Sequence, residues 1–245
     1  MILRCHRGIL IPRSLAVVMA VGLSLLAPAL FGQSYLPAGL PDGTALLAPP
    51  PLPGSAEEAA DLASVRAVFR SRTEAEKNRA TMESTLSFSL FAAAIGPEFD
   101  LNRLPKTRAL LEQVKTNIQV TIDVSKSYFK RKRPYQMDES LGLGKPEPSF
   151  AYPSGHSTRG TVYALLLAQL FPEHREAILT IGRDIGWDRV LIGKHFPTDI
   201  YAGRVLGQAI VRELSANPAY RRDLAEAKAE IAAAKPRLVE PALAR

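Results

Sequence analysis

Residues 105–134 read PKTRALLEQVKTNIQVTIDVSKSYFKRKRP, and this is the longest helical pattern in the chain. Proline is tolerated in the first turn of a helix and breaks its interior, so Pro105 is predicted to open a helix and Pro134 to stop it. Between them, apolar side chains recur at helical spacing, at Leu110, Leu111, Val114, Ile118, Ile122 and Val124. Such a helix must bury its apolar face, so its neighbours decide the fold class.

The segments on either side of this helix are also helical in pattern. A stretch rich in Ala, Glu, Arg and Lys covers residues 56–84, and a short apolar helix is predicted at 86–95. Further helices are predicted at 161–171, 173–185, 197–214 and 219–234. Patterns typical of strands are almost absent. We therefore expect an all-α fold, with a single compact helical bundle-like domain at residues 55–245.

The first 54 residues differ in composition from the rest of the chain. Residues 1–32 combine three arginines with an apolar run at 15–30 and small residues after it. This is the layout of a secretory signal peptide, and the apolar run is short for a membrane-spanning helix. We expect cleavage after Ala29 or Gly32. Residues 33–54 contain six prolines and are predicted to form an extended lead-in that is wrapped over the surface or mobile.

Removal of this leader would change two properties of the chain. The only cysteine, Cys5, would leave with it, so the mature chain could not form a disulfide. The three leader arginines would also be lost, and the formal net charge would fall from +7 to about +4. A modestly basic chain suits a small anionic substrate and gives no argument for nucleic-acid binding.

The first segment with chemical potential is basic and runs from Lys126 to Pro134, with the sequence KSYFKRKRP. Lys126 and Arg133 are seven residues apart, so two helical turns would put both side chains on nearly one face. By itself such a run is more typical of a solvated surface than of a catalytic site.

The second segment is YPSGHS at residues 152–157. Proline and glycine predict a tight turn at the start of a helix, where free backbone N–H groups and the helix dipole favour an anion. The Ser154 hydroxyl can add a donor, and Gly155 would let the backbone approach a ligand closely. A plain helix cap beside an incidental histidine, His156, explains the segment equally well.

The third segment is DRVLIGKHFPTD at residues 188–199. His195 and Asp199 are four residues apart at a predicted helix start, so Asp199 can accept from one ring nitrogen and leave the other free as a nucleophile. The alternative is a surface histidine followed by an acidic residue that serves the helix dipole. Outside the leader the chain has only one further histidine, His174, which we expect to be exposed on a helix.

Together the three segments resemble the signature of the type 2 phosphatidic acid phosphatase superfamily, which is Lys-x6-Arg-Pro, then Pro-Ser-Gly-His, then Ser-Arg-x5-His-x3-Asp. Every position matches except Asp188, which stands where the family has serine. Within the superfamily the chain is similar to the class A bacterial non-specific acid phosphatases, which are exported and carry a Tyr-Pro-Ser-Gly-His segment. The resemblance spans the lead-in to about Leu214.

The resemblance implies a role for each matched position. His195 would be the nucleophile that forms a phosphohistidine, and Asp199 would orient it. His156 would protonate the leaving alcohol and then act as base for the hydrolytic water. The phosphoryl oxygens would be bound by five positions, Lys126, Arg133, Ser154, Gly155 and Arg189. Phosphoryl transfer depends on positioning and charge stabilisation, which cations and a helix N-terminus supply without a metal.

The resemblance thus implies a metal-free, cofactor-free acid phosphatase of the periplasm that acts on small phosphorylated substrates. It implies neither nucleic acid nor, after cleavage, a membrane as partner. Family members often assemble as dimers or larger complexes, so a homo-oligomer is left open. At Asp188, a carboxylate would either pin the Arg189 guanidinium or weaken the positive potential of the site. We expect the first.

The sequence features bear on four other functions. A vanadium-dependent haloperoxidase would use the same anion site, and is the main alternative. An iron site at His156, His195 and Asp199 is disfavoured because three nearby cations would repel a dication. A membrane lipid phosphatase would need spanning helices, and no further apolar run reaches about 18 residues. A non-enzymatic basic module explains residues 130–133 but not the two histidines and Asp199.

Overall fold

A computed structural model describes residues 34–82 and 85–239, and within them the fold is all-α, as the sequence predicts. The expected signal peptide at residues 1–32 lies outside the described residues. The helices are α1 (Gly43–Leu46), α2 (Ala56–Ser71), α3 (Glu74–Met82), α4 (Ala92–Ile95), α5 (Pro105–Phe129), α6 (Pro134–Met137), α7 (Gly155–Leu170), α8 (Arg175–Leu191), α9 (Pro197–Ala216) and α10 (Pro218–Val239). Short 3₁₀ turns lie at Phe88–Phe91, Glu139–Leu141 and Pro172–His174.

Helix α7 is the centre of the bundle. Most of its residues are buried, and its second half from Val162 to Leu170 is almost wholly apolar. It packs against α8 and α9 most extensively. Glycines permit the closest crossing, because a Cβ on Gly182 would lie 2.4 Å from the Cβ of Ala164 and one on Gly160 would lie 2.9 Å from the Gly182 oxygen. The tight crossing holds the start of α7 beside the last turns of α8, where a Cβ on Gly186 would lie 3.0 Å from the Ser157 Oγ.

Helix α5 does not extend as far as its sequence pattern suggested. It ends at Phe129, where Lys130 adopts a left-handed conformation with φ of 51° and its N–H bonds the Lys126 oxygen. Arg133 follows in an extended conformation, because a residue before proline is excluded from the helical region. The prediction that Lys126 and Arg133 share one helical face is therefore wrong, since Arg133 precedes α6 and reaches the site from a loop.

Other helix limits also differ from the sequence expectation. Within the stretch predicted at 56–84, the described residues form two helices, α2 and α3. Arg72 is extended, and the N–H and hydroxyl of Thr73 donate to Glu76 just before the second helix begins. Residues 86–95 contain a 3₁₀ turn followed by the short α4 instead of one helix. Helix α8 continues to Leu191, so Asp188 and Arg189 lie on its last turn.

The described residues of the proline-rich lead-in, 34–54, are anchored to the core of the bundle. Tyr35, Leu36 and Leu47 are buried in the main core. The Tyr35 hydroxyl donates to Asp223 of α10 at 2.6 Å, and Asn217 donates to the Tyr35 oxygen at 2.9 Å. The segment crosses α5 and α10 and contains the short helix α1. Across the described part of the chain, no helix has the length and apolar character needed to cross a bilayer.

Candidate active site

The second and third sequence segments meet where α7 and α9 begin. The Ser154 N–H donates to the backbone oxygen of Asp199 at 3.0 Å, and the Ser157 hydroxyl donates to the backbone oxygen of Ile200 at 2.7 Å. A Cβ on Gly203 would lie 2.7 Å from the Ser154 oxygen, so only glycine permits this approach. The two helix starts are thereby locked together.

His195 lies between an acceptor and a donor. Its Nδ1 is 3.1 Å from Asp199 Oδ2, and its Nε2 is 3.2 Å from Arg133 Nη1. A guanidinium can only donate, so Nε2 accepts and the ring proton resides on Nδ1, which donates to the carboxylate. The structure therefore orients the Nε2 lone pair towards the Arg133 guanidinium.

The environment keeps this imidazole neutral. Burial lowers the pKa of His195 well below its ordinary value, and the charges of Arg133, Lys126 and Arg189 lower it further. Neutral imidazole is the form that can attack phosphorus. The site thus favours a nucleophile over a proton carrier at this position.

Arg133 is the most enclosed cation of the site. Its side chain is 1% exposed, and its Nε donates to the Ser149 oxygen at 2.8 Å. Its Nη1 donates to the Lys194 oxygen at 3.0 Å, and its Nη2 donates to the Phe150 oxygen at 3.2 Å. These backbone acceptors fix the plane of the guanidinium beside His195.

Lys126 and Arg189 complete the positive cluster. Lys126 donates to the Phe150 oxygen, and burial followed by the charge of Arg133 lowers its pKa to about 7. Arg189 is buried and donates through Nη2 to Glu147. Within the described part of the chain its Nε and Nη1 have no hydrogen-bond partner. Buried donors without acceptors are costly, so they favour an oxygen-rich anion at this place.

Glu147 is a site residue that the sequence did not reveal. Its carboxylate bridges Arg133 and Arg189, one oxygen to each Nη2. Burial by itself would raise the pKa of Glu147, but Arg133 and Arg189 outweigh it and hold the pKa below its ordinary value. It lies in the loop between α6 and α7, where no pattern distinguishes it from other surface acids.

The start of α7 supplies the remaining predicted residues. Ser154 is the N-cap, and its Oγ accepts from the Ser157 N–H at 3.3 Å, which leaves its hydroxyl proton available to donate. A Cβ on Gly155 would lie 3.2 Å from Arg159 Nη1 and 3.7 Å from the Lys126 Cε, so a side chain there would crowd both. His156 is partly exposed, and its charge acts on both His195 and Glu147.

Asp188 does not pin Arg189, and that expectation is wrong. Its buried carboxylate accepts from Arg79 Nε at 2.8 Å and from Arg79 Nη2 at 2.6 Å. The pairing attaches α3 to the last turn of α8. Arg189 instead has Glu147 as its carboxylate partner.

His174 lies outside the site, at the far end of α7. It belongs to a 3₁₀ turn, is half-buried and contacts Glu98 at 2.8 Å, so the expectation of an exposed helical residue is wrong. Glu98, Glu173 and His174 have metal-ligand spacing, but Lys235 pairs with both carboxylates. The alternative iron triad finds no support in the geometry, because His195 and Asp199 are hydrogen-bonded to each other.

Comparison with known proteins agrees with this geometry. The family model of the PAP2 superfamily matches residues 114–223, which include all the candidate site residues. An acid phosphatase of Zymomonas mobilis is 30% identical over 77% of this chain and 75% of its own length. A non-specific acid phosphatase of Providencia stuartii is 28% identical over 79% of this chain and 82% of its own length.

A solved structure shares the fold. It is a transmembrane PAP2-type phosphatidylglycerolphosphate phosphatase from Bacillus subtilis, with a TM-score of 0.50 and 22% identity. The match covers 67% of this chain and 87% of that one. The family that the sequence motifs predicted is confirmed: the chain belongs to the PAP2 superfamily, among its acid phosphatases.

Proposed function

We propose that the chain hydrolyses phosphate monoesters, without a metal, through a phosphohistidine formed on His195 Nε2. The observation that carries the proposal is the orientation of His195, whose Nδ1 faces buried Asp199 while Nε2 faces Arg133. A neutral imidazole with one nitrogen held by a carboxylate is suited to attack at the other nitrogen. Its surroundings of cations suit a phosphoryl group.

In the first step, the Nε2 lone pair forms a bond to phosphorus and the bond from phosphorus to the ester oxygen breaks. His156, at the start of α7, donates a proton to the departing oxygen. In the second step, water attacks phosphorus while His156 takes a proton from it, and the bond from Nε2 to phosphorus breaks. Phosphate leaves and both histidines return to their starting states.

Charge stabilisation comes from the chain itself. Lys126, Arg133 and Arg189 would bind the phosphoryl oxygens, together with the Ser154 hydroxyl and the Gly155 N–H at the N-terminus of α7. Removing one such donor typically lowers kcat by about 100- to 1,000-fold. Three cations supply positive charge that a metal would otherwise bring to a phosphoryl group, and this supports metal-independent chemistry.

The substrates that we propose are small phosphorylated molecules of broad identity, with transfer of phosphate to an alcohol as a side reaction. The cluster of cations supports a phosphoryl group as their shared part. The layout of residues 1–32 supports export to the periplasm by a signal peptide, with neither nucleic acid nor membrane as partner of the mature chain. Its oligomeric state can be measured by light scattering.

Phosphate release from a panel of monoesters tests the function, with strong chelator present throughout. We expect wild type and His174→Gln, a matched histidine outside the site, to be active and His195→Ala to be inactive. Full activity of folded His195→Ala would contradict the mechanism, and loss of wild-type activity in chelator would contradict metal independence. Bromide oxidation with vanadate and peroxide, in place of phosphate release, would favour the haloperoxidase alternative.

A further inference from the structure

A buried ion-pair network lies behind Asp199, on the side away from His195. Arg131, from the loop after α5, donates through Nη1 to Asp199 Oδ1 at 2.6 Å and to Thr198 Oγ1 at 2.7 Å. Its Nη2 donates to Asp61 Oδ2 at 2.8 Å. The Arg131, Asp61 and Asp199 side chains are 4%, 5% and 0% exposed. The network therefore joins α2 to the carboxylate that orients His195.

The guanidinium of Arg131 is held from several sides. Asp61 also accepts from the Thr198 N–H at 3.4 Å and from the Thr198 hydroxyl, which fixes its carboxylate against the start of α9. The guanidinium carbon of Arg131 lies 3.9 Å from the centre of the Phe196 ring, within the range of a cation–π contact. A planar guanidinium group that donates to two carboxylates has little freedom to move.

Asp199 needs this partner because it is fully enclosed. Burial raises the pKa of Asp199, whereas Arg131 and the Phe196 N–H oppose the rise. A protonated Asp199 would lose its character as a pure acceptor and its hold on the His195 tautomer. The titratable and charged groups around Asp199 come from several elements, namely Asp61, Lys126, Arg131, Arg133, Tyr152 and His195.

We propose that Arg131 and Asp61 are positioning residues of the phosphatase reaction. Arg131 keeps the Asp199 carboxylate ionised and directed at His195 Nδ1. Asp61 holds the Arg131 guanidinium in the orientation in which it donates to Asp199. The side-chain hydrogen bonds of Arg131 go to Asp199, Thr198 and Asp61, and those of Asp61 go to Arg131 and Thr198, so both residues would act through Asp199. The inference deepens the proposed function and rests on His195 as its nucleophile.

Substitutions on two different elements test the network. Arg131→Gln removes the charge, Arg131→Lys keeps the charge without the planar guanidinium, and Asp61→Asn keeps the shape without the charge. Changes behind a catalytic group typically cost about 10- to 100-fold. We expect kcat to fall about 100-fold in Arg131→Gln and about tenfold in the other two, with KM within about threefold because phosphate contacts remain.

The matched control is Arg66→Gln, which lies on α2 like Asp61 but pairs with Asp138 at the surface. We expect its kcat and KM to equal those of wild type. A merely structural role for the network would instead lower the melting temperature while leaving kcat and its pH profile unchanged in the folded fraction.

Side-chain ¹⁵N NMR gives a readout that does not depend on turnover. The chain has four histidines, so the His195 signals can be assigned by their loss in His195→Ala. We expect the Nδ1–H tautomer alone in wild type, and mixed tautomers in Arg131→Gln and, to a smaller degree, in Asp61→Asn. If either variant fails to fold, the other still tests the proposal.

The two proposals fail in different ways. Full activity of His195→Ala would remove the mechanism whatever the NMR spectra show. Unchanged kcat and an unchanged His195 tautomer in folded Arg131→Gln and Asp61→Asn, with His195→Ala inactive, would overturn the positioning role and leave the mechanism intact.

Discussion

At the scale of single residues, the carboxylate of Glu147 lies within the positive cluster, where phosphate binding needs cations and hydrogen-bond donors. Glu147 contacts the same two guanidinium groups that we assign to phosphate, so it stands in for phosphoryl oxygens in the structure. Because its pKa is held below the ordinary value, it stays ionised at mildly acidic pH. Substrate must therefore compete with it for Arg133 and Arg189.

The first prediction concerns this competition. Glu147→Gln should tighten the binding of inorganic phosphate, a product inhibitor, because the competing charge is removed. A partly exposed ion pair is worth about 1 kcal/mol, which corresponds to about fivefold in Kd. Calorimetric titration of wild type, Glu147→Gln and the exposed control Glu139→Gln checks this. Weaker binding in Glu147→Gln would mean that the carboxylate orients the arginines instead.

The second prediction concerns Asp188, which serves the fold through Arg79. Asp188→Ser should keep kcat/KM within about tenfold, or about 1.4 kcal/mol, because Arg189 retains its own position. The lost charged hydrogen bonds should lower the free energy of unfolding by about 1–3 kcal/mol. Arg79→Ala should cost more, about 3–5 kcal/mol, because it leaves a buried carboxylate unpaired. Complete loss of turnover in folded Asp188→Ser would contradict this assignment.

At the scale of elements, the site depends on how closely α9 approaches the start of α7. Gly203→Ala would place a methyl group 2.7 Å from the Ser154 oxygen and 2.8 Å from the Ser157 Cβ. Alanine is the better helix former by about 1 kcal/mol, but overpacking costs about 1–3 kcal/mol and separates Ser154 from Asp199. We expect a lower melting temperature and a kcat reduced by tenfold or more, since displacements of about 1 Å cost up to about 100-fold.

The control for this third prediction is Ser215→Ala, an exposed position near the end of the same helix. It changes the composition of the helix without touching α7, so the melting temperature and kcat should both stay at wild-type values. A Gly203→Ala variant as stable and as active as wild type would show that the α7–α9 crossing can relax.

Elements were predictable from the sequence where periodicity and proline decide them. Pro105 and Pro197 each begin a helix as expected, and the described residues contain no strand, in line with the near absence of strand patterns. The left-handed turn at Lys130 was not readable, because it depends on the packing that brings Arg133 inward. Asp188 and Arg79 are 109 residues apart, and Glu147 lies in a loop, so their contacts depend on tertiary structure that local patterns do not encode.

At the scale of the whole molecule, stability is linked to the charge of the buried site. The pKa of Lys126 is lowered from 10.5 to about 7, first by burial and then by Arg133. The penalty for burying charged Lys126 is fully present below pH 7 and is relieved as the pH rises towards 10.5, because only the unfolded chain keeps the proton in that window. A bound anion offsets the same penalty while Lys126 is charged.

The fourth prediction uses sulfate, which keeps a constant charge over this range. Sulfate should raise the melting temperature more at pH 6 than at pH 9, because Lys126 loses its proton through about pH 7. In Lys126→Arg the sulfate effect should stay nearly constant with pH. If the stabilisation by sulfate declines with pH in Lys126→Arg as it does in wild type, the pH dependence belongs to another group. Scanning calorimetry of both proteins at both pH values, with and without sulfate, measures these effects.

The central claim is that phosphate becomes bonded to His195. In His156→Ala the hydrolytic water loses its base, so a phosphoenzyme formed from an ester with a good leaving group, such as p-nitrophenyl phosphate, should accumulate. Peptide mapping by mass spectrometry after an alkaline quench should then find nearly stoichiometric phosphate on the His195 peptide and none in His195→Ala. A stoichiometric burst of nitrophenol with phosphate on another residue, or with His195 unmodified, would contradict the account.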